Sequence, residues 1–168
     1  MLTIREAEMK DAEDVIRYLN KVGGETAFLT FGENEFLVSR SDEEVIIQQF
    51  LNHEKACMYL AFEEDELVSV GQVIVPAKER MAHRGNIAIS VKKDFWGQGI
   101  GSKMLEKLIL SAKKSGLHML TLEVVSENQA AFHLYKKMGF VVAGEYPDYF
   151  RVQDKLFAVT FMYRILKN

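Results

Sequence analysis

The sequence of 168 residues predicts an α/β (α+β) fold in which helices cover both faces of a central mixed sheet. Short segments with an apolar residue at every second position alternate with longer segments whose apolar residues follow helical spacing. Their order along the chain is β-α-α-β-β-β-α-β-α-β-β. Only two prolines and no low-complexity stretch interrupt this pattern, so we predict a single domain over residues 1–168.

The first part of the chain predicts one strand and two helices. Residues 2–7 alternate apolar and polar side chains, as a strand does. Asp11 is a candidate N-cap for a helix that ends near Gly23. The sequence Ser-Asp-Glu-Glu at 41–44 is typical of a capping box and predicts a second helix that ends near Lys55.

The middle of the chain predicts a hairpin, a strand and a helix. Residues 56–62 and 67–75 flank four acidic residues and predict two antiparallel strands. Residues 86–91 predict the next strand. Apolar residues over 100–112 follow helical spacing, and Gly116 ends that helix.

The last third of the chain completes the pattern. Its predicted elements are a strand over 118–125, a helix over 128–138, and strands over 140–146 and 156–166. Ser126 or Asn128 caps the helix. The strand–helix–strand unit of residues 86–125 implies a locally parallel pair with a right-handed crossover.

The composition disfavours several classes of function. A net charge of −3 without a long run of Lys or Arg disfavours nucleic acid as a partner. No apolar run approaches the roughly 20 residues of a membrane span, and residues 1–20 do not resemble a signal peptide. Cys57 is the only cysteine, which excludes an internal disulfide, and the four histidines lack metal-ligand spacing. We therefore expect a cytoplasmic protein without a metal and without a membrane partner.

Three alternating glycines precede the helix that starts near residue 100. Glycine lets backbone N–H groups approach a ligand, and a helix start adds unpaired donors and a positive dipole end. Gly97, Gly99 and Gly101 therefore predict a site for phosphate or pyrophosphate. A Walker loop is disfavoured because Ser102 precedes Lys103, the reverse of the required order.

A dinucleotide-binding fingerprint is a second alternative for the same glycines. Gly99-Ile100-Gly101 begins its G-x-G-x-x-G pattern, but Met104 stands where the third glycine belongs. Glu123 favours this alternative, because a ribose-binding acid lies about 20 residues further on in such folds. Polar residues between the strand and the glycines, and too few subsequent α/β units, disfavour it.

A second segment points to a third motif. Residues 128–140 read NQAAFHLYKKMGF and follow the pattern N-x-x-A-x-x-L-Y-x-x-x-G-F. With the glycine segment, they resemble the Gcn5-related N-acetyltransferase (GNAT) family over residues 85–140. A Leu-Glu-Val strand at 122–124 is similar to the bacterial ribosomal-protein alanine N-acetyltransferase branch. The resemblance implies a GNAT-like acyl-CoA N-acyltransferase fold with a mostly antiparallel sheet of about seven strands.

The resemblance also implies an activity. The chain is expected to be an acyltransferase that moves the acetyl group of acetyl-CoA, its cosubstrate, to a primary amine. Direct attack in a ternary complex is expected, since no cysteine is placed for an acyl-enzyme. Paired subunits are common in the family, so a homodimer is expected. The acceptor stays open among protein N-termini, lysines, polyamines, amino acids and drugs. The alternative function is a catalytically silent CoA-binding sensor or assembly module.

The residues implied to bind the cosubstrate fall into three groups. The backbone N–H groups expected to bind the pyrophosphate are those of Gly97, Gln98, Gly99, Ile100, Gly101 and Ser102. Ile89, Ser90 and Val91 are expected to pair with the pantetheine amides like an added strand, with an N–H near Val91 at the developing oxyanion. Asn128 is expected to bind the pantetheine, to cap its helix, or both. Trp96 occupies a position that is commonly Arg or Gln in the family, so the pyrophosphate depends on backbone donors.

Two residues are candidates for proton transfer. An amine attacks only in its neutral form, and Glu123 could take its proton directly or through water. The alternative is a solvated strand glutamate. Tyr135 could protonate the leaving thiolate, and the alternative is a core tyrosine.

Two segments are candidate walls of the acceptor site. Residues 23–36 mix aromatic and acidic side chains, a combination that could receive a cationic amine. Residues 146–150, Tyr-Pro-Asp-Tyr-Phe, form the second candidate wall. Neither segment identifies a substrate.

Overall fold

The computed structural model describes residues 1–167, so Asn168, the last residue of the predicted domain, lies outside the described part. Its main elements are β1 (Leu2–Glu6), α1 (Ala12–Glu25), α2 (Arg40–Asn52), β2 (Cys57–Glu63), β3 (Glu66–Ile74), β4 (Arg84–Val91), α3 (Ile100–Lys114), β5 (Met119–Val125), α4 (Gln129–Lys137), β6 (Val141–Val152) and β7 (Lys155–Ile165). Their order agrees with the order that the sequence predicts.

The seven strands form one sheet in the order β1-β2-β3-β4-β5-β7-β6. All neighbouring strands are antiparallel except β4 and β5, which are parallel and are joined through α3. The prediction of a mixed, mostly antiparallel sheet of about seven strands is confirmed. No helix within residues 1–167 is both long and apolar enough to cross a membrane.

Helices cover both faces of the sheet, as the alternation along β2 shows. Tyr59 and Ala61 belong to one buried cluster, which also contains Met104 of α3. Met58 and Leu60 point to the opposite face and belong to a second cluster with residues of α1 and α2. The sheet therefore separates two cores, and helices on both faces are confirmed.

The starts of the first two helices differ from the prediction in how they are capped. Ser39 is the N-cap of α2, and its Oγ accepts the N–H of Asp42 at 3.1 Å. It takes the capping role predicted for Ser41, because it lies three residues before a free N–H of the first turn. Asp11 precedes α1, but its carboxylate binds Arg5 through two contacts of 2.7 and 2.8 Å. Asp11 therefore ties β1 to the start of α1 instead of capping the helix with its side chain.

Candidate active site

The glycine segment forms a tight loop between β4 and α3. Gly97 and Gly99 have φ angles of 75° and 79°, a left-handed conformation that residues with a Cβ rarely adopt. Gly99 is the N-cap of α3, and no side chain within residues 1–167 caps this helix. The first N–H groups of α3 are therefore free for a ligand, and a helix N-terminus favours an anion.

Strands β4 and β5 separate halfway along their length. The parallel pairing joins residues 84–87 of β4 to residues 119–122 of β5. Beyond this point β4 continues to Val91 and is paired only with β3, while β5 continues to Val125 and is paired only with β7. The separation opens the sheet directly before the glycine loop.

Hydrogen bonds on the β3 side of β4 show which backbone groups face this gap. The Lys92 N–H donates to the Val68 carbonyl at 2.9 Å, and the Ser90 carbonyl accepts from Ser69 Oγ at 2.7 Å. Backbone groups point to alternate sides along a strand. Ile89 and Val91 therefore direct their N–H and C=O groups into the gap, whereas Ser90 directs its backbone towards β3.

Trp96 contacts the end of β4 with its side chain. Its Nε1 donates to the Val91 carbonyl at 2.8 Å. Val91 turns its C=O and its N–H to the gap. The bond from Trp96 occupies the C=O, and the N–H stays available to a ligand. The indole thus fixes the end of the open strand, a contact that the sequence alone did not indicate.

The gap opens into a pocket of about 860 Å³. Its walls lie within residues 22–31, 86–91, 95–102, 123–135 and 149–159. Glu123, Tyr135 and Asn128 all line this pocket, together with the predicted strand and glycine residues apart from Gln98. The Gln98 side chain instead donates to the Asp94 carbonyl at 3.1 Å. Residues predicted to act together are therefore brought to one pocket.

Glu123 lies on β5 just beyond the point where β4 departs. Its neighbours Leu122 and Val124 are buried, and the Glu123 side chain points to the opposite face, as the alternation predicts. The Tyr149 hydroxyl donates to Glu123 Oε2 at 3.3 Å. The nearby carboxylate raises the pKa of the Tyr149 hydroxyl, because ionisation would place two negative charges side by side.

An irregularity in β6 brings Tyr149 to Glu123. Tyr146 pairs with Val159 and Phe150 pairs with Phe157, so three residues of β6 stand opposite one residue of β7. The extra length forms a bulge, in which Asp148 has a φ of 51°. Residues 146–150 were predicted to follow the end of β6, but they lie inside a strand of 12 residues.

Tyr135 lies on α4 with its ring inside the core. It is 8% exposed and packs edge-on against Phe140 at a centroid distance of 6.0 Å. Burial raises the pKa of its hydroxyl to about 12. Tyr135 therefore packs as a core tyrosine does and also borders the pocket, so both roles considered for it fit its position.

Asn128 starts the helix that carries Tyr135. Its Oδ1 accepts the N–H of Ala131 at 3.2 Å, which makes it the N-cap of α4. The cap uses the oxygen of the side-chain amide, so the Nδ2 donors stay available to a ligand. The residue itself borders the pocket.

The segment at and after the end of α1 supplies another wall of the pocket. Phe28, Leu29 and Phe31 line the pocket, and Phe28 packs edge-on against Phe157 at 6.4 Å. Glu25 Oε2 accepts the backbone N–H of Lys93 at 2.8 Å. The predicted acceptor segment 23–36 therefore contributes residues 25–31, and Glu25 joins this segment to the turn before the glycine loop.

A known protein family matches the part of the chain that supplies most of this pocket. The model of the family described as "Acetyltransferase (GNAT) family" matches residues 25–140, more than half of the chain. The chain belongs to the GNAT family. The match spans every cosubstrate and catalytic residue that the sequence predicts, from Ile89 to Tyr135.

Two curated GNAT relatives match part of the chain. The L-amino acid N-acyltransferase MnaT of Escherichia coli (strain K12) is 34% identical over 80 residues, covering 48% of this chain and 46% of that protein. The ribosomal protein bS18-alanine N-acetyltransferase of the same strain is 39% identical over 66 residues, covering 39% of this chain and 45% of that protein. The chain thus spans about half the length of the curated relatives it matches.

Solved GNAT structures match over the whole described chain. An acetyltransferase of the GNAT family from Streptococcus pneumoniae is 32% identical with a TM-score of 0.96, covering 99% of this chain and 100% of that chain. The structure of yncA from Salmonella typhimurium, determined with its cofactor acetyl-CoA, has a TM-score of 0.87 at 20% identity. The match covers 99% of this chain and 94% of that chain. The second likeness shows that the two chains share the GNAT fold.

Two contacts in the GNAT pocket were not indicated by the sequence, although Tyr149 and Glu25 both lie in the segments predicted as candidate walls. The Tyr149 contact with Glu123 depends on the β6 bulge, for which the sequence offers only Pro147 and Asp148 as weak turn signals. The Glu25 contact with Lys93 joins residues 68 positions apart, and no local pattern indicates it. Within residues 1–167, no group of three or more His, Cys, Asp or Glu side chains is placed to hold a metal ion.

Proposed function

We propose that this chain is a single-domain N-acetyltransferase that moves the acetyl group of acetyl-CoA to a primary amine by direct attack in a ternary complex. The observation that carries the proposal is the departure of β4 from β5, which turns the backbone of Ile89 and Val91 into a pocket. The uncapped N-terminus of α3 and the carboxylate of Glu123 both border that pocket.

The cosubstrate is proposed to bind largely through backbone groups. The N–H groups of residues 97–102 would hold the pyrophosphate, and its charge suits the N-terminus of α3. Pantetheine is an extended chain with amides, so it can pair with Ile89 and Val91 as an added strand. The Val91 N–H would then donate to the thioester oxygen as negative charge develops there. The Asn128 Nδ2 is a further donor beside that chain.

Glu123 is proposed to accept the proton that the amine loses. Amines with a pKa near 8 to 10 are largely protonated at pH 7, and only the neutral form attacks. The Glu123 carboxylate borders the pocket and is held by Tyr149, so it can take the proton directly or through one water. The new bond joins the amine nitrogen to the acetyl carbon, and the bond from that carbon to sulfur breaks.

Tyr135 is proposed to protonate the sulfur that leaves as the thiolate of CoA. Its hydroxyl, with a pKa of about 12, stays protonated at neutral pH. It can therefore donate a hydrogen bond, and then its proton, as charge builds on the thiolate. Counted from the ammonium form, the nitrogen loses two protons, one before attack and one after the new bond forms. One proton reaches the sulfur, and the cycle releases the other to water.

The acceptor, location and assembly are separate parts of the proposal. The two relatives are named for an L-amino acid and for an alanine of ribosomal protein bS18, so both kinds of amine belong in the panel of acceptors. A cytoplasmic location and a homodimer, both expected from the sequence and the resemblance, stay predictions.

The proposal is tested by incubating the purified protein with acetyl-CoA and a panel of primary amines. Acetylated product is followed by mass spectrometry, free thiol by a colorimetric reagent, and CoA binding by calorimetry. We expect product from at least one amine. Tight CoA binding without product from any amine class would favour the CoA-binding sensor and contradict catalysis.

Glu123→Gln provides the matched test of the proposed base. We expect kcat to fall about 100-fold while CoA affinity stays within about twofold, because the change removes a proton acceptor but keeps the shape. Glu145→Gln alters an exposed glutamate of β6 outside the pocket and is the control. Equal rates for the two variants would show that Glu123 is only a solvated strand residue.

A further inference from the structure

We propose that the acceptor is a primary amine on a hydrophobic, preferably aromatic, body that carries no carboxylate beside the amino group. This inference rests on the proposed acetyl transfer and deepens it by naming the acceptor class. It follows from the shape and the charges of the pocket beyond the point where β4 leaves β5.

The wall of this region is aromatic and comes from two distant parts of the chain. Phe28 from the segment after α1 packs edge-on against Phe157 at 6.4 Å. Phe150 stacks on Phe157 at 5.2 Å with an angle of 16° between the rings. Phe28 and Phe150 both line the pocket. Rings held against each other in this way present an ordered apolar surface, which suits the body of a hydrophobic ligand.

The charged side chains that line the pocket are both acidic. Within residues 1–167 they are Glu25, near the end of α1, and Glu123, at the end of β5. Two carboxylates attract a protonated amine and repel a second carboxylate on the same molecule. In a free amino acid the carboxylate is two bonds from the nitrogen, so it enters this acid-lined pocket together with the reacting amine.

Lys155, a basic side chain next to the aromatic wall, is already engaged. Lys155 Nζ binds Glu127 Oε2 at 2.7 Å and lies 4.7 Å from the centre of the Phe157 ring. At the other end, Lys92 Nζ binds Glu66 Oε1 at 2.7 Å. Both ammonium groups are thus paired with carboxylates of the protein, and a substrate carboxylate would have to compete for them.

The experiment compares L-phenylalaninamide with L-phenylalanine, which differ only in the amide and the carboxylate. A third acceptor, 2-phenylethylamine, has neither group. Initial rates with acetyl-CoA are expressed per neutral amine, after titration of each compound, so that basicity does not bias the comparison. We expect kcat/KM at least about tenfold higher for the amide and for 2-phenylethylamine than for phenylalanine.

Glu25→Gln tests whether the preference for the amide over phenylalanine depends on the negative charge of the pocket. Gln keeps an amide oxygen that can accept the Lys93 N–H but removes one repelling charge, so we expect the preference for the amide to narrow several-fold. Glu106→Gln changes an exposed residue of α3 outside the pocket and should keep the full preference. An unchanged ratio in Glu25→Gln would overturn the electrostatic part of the inference.

The outcomes separate this inference from the proposed function. Phenylalanine acetylated as well as its amide would overturn the inference and leave acetyl transfer intact. Turnover of spermidine or lysine without turnover of the three aromatic amines would do the same. No acetylation of any amine by a protein that binds CoA would instead overturn the proposed function, and the acceptor class with it.

Discussion

The two halves of the pocket are built in different ways. The half proposed to bind the cosubstrate, the cosubstrate half, centres on residues 89–102, one continuous segment that presents backbone groups at an open strand edge and a helix start. The half proposed to bind the amine, the acceptor half, is made of side chains from separate segments, with Glu123 and Tyr149 on β5 and β6 and the aromatic wall of Phe28 and Phe150. A local segment can specify the first half, whereas the second exists only once distant strands have paired.

The largest expected effect is at Tyr135, which lines the same pocket from α4. Tyr135→Phe removes the hydroxyl proposed to protonate the sulfur and keeps the ring that packs on Phe140. We expect kcat to fall 100- to 1,000-fold, with CoA affinity unchanged within about twofold. Steady-state kinetics and calorimetry measure the two quantities. Tyr163→Phe, on β7 outside the pocket, is the control, and equal kcat values would make Tyr135 a core residue without chemical role.

The second effect concerns a buried carboxyl outside the pocket. Glu43 of α2 is 2% exposed, its Oε2 has no hydrogen-bond partner within residues 1–167, and burial raises its pKa to about 7. The carboxyl of an unfolded chain ionises near pH 4.3. Between pH 4.3 and 7 the unfolded state therefore loses a proton that the folded state keeps, and the free energy of unfolding falls, on the order of 3 kcal/mol in all.

Glu43→Gln should remove this pH dependence. The free energy of unfolding of the variant minus that of the parent protein should be about 2 kcal/mol larger at pH 8 than at pH 5. Urea denaturation at the two pH values measures this difference. Glu54→Gln, at an exposed site just after α2, is the control and should show the same gain at both pH values. A gain in Glu43→Gln that is independent of pH would show that the carboxyl is solvated in the folded protein.

The third effect isolates the backbone of the cosubstrate half. Gly99→Ala places a Cβ in open space, but at a φ of 79°, which costs about 1–2 kcal/mol for a residue with a side chain. If the loop relaxes to avoid this cost, CoA affinity should fall about 5- to 30-fold. The order of preference among amines should stay as in the parent protein, because the acceptor half is untouched.

Gly144→Ala is the matched control for that substitution. Gly144 also has open space at its Cβ, but its φ is not positive, so Ala fits there without strain. Calorimetry should find parent-like CoA affinity in Gly144→Ala. If Gly99→Ala also bound CoA like the parent protein, the left-handed conformation would not be what shapes the site.

The difference between the halves explains what the sequence could predict. Alternating glycines before a helix indicate left-handed residues and free N–H groups, because both depend on residues within a few positions. Asn128, which forms the cap of α4, was one of the two candidates, with Ser126, for the same reason. The element order also follows from local periodicity, and it was correct throughout.

The pocket contacts that escaped prediction depend on pairing between distant segments, whereas the two caps that were predicted wrongly, at Ser41 and Asp11, are local. The bond from Trp96 to the Val91 carbonyl requires the strand edge to be open, which is a property of β5 as much as of β4. The bulge that carries Tyr149 reflects the register of β6 against β7. Periodicity identifies a strand but does not show where its pairing with a neighbouring strand shifts register. The sequence could therefore predict which segments line the acceptor half, but not the contacts between their side chains.

The smallest expected effect tests whether Tyr149 positions Glu123. Tyr149→Phe removes the hydroxyl that donates to Oε2 at 3.3 Å, and Glu123 keeps its place on β5. Because the contact is exposed and long, we expect kcat/KM for the amine to fall only about three- to fivefold. A purely structural role of the ring, which also packs on Phe161 at 6.0 Å, would leave this ratio unchanged.

The reciprocal measurement follows the tyrosine itself. The Glu123 carboxylate is the main cause of the raised pKa of Tyr149, so Glu123→Gln should lower that pKa towards the ordinary value near 10. The Tyr149 titration is obtained as the difference in ultraviolet absorbance between Glu123→Gln and the double variant that also carries Tyr149→Phe. The same difference between the parent protein and Tyr149→Phe gives the reference. Equal midpoints would mean that the two side chains do not interact in solution, and the acceptor half would then be a less ordered site than its contacts indicate.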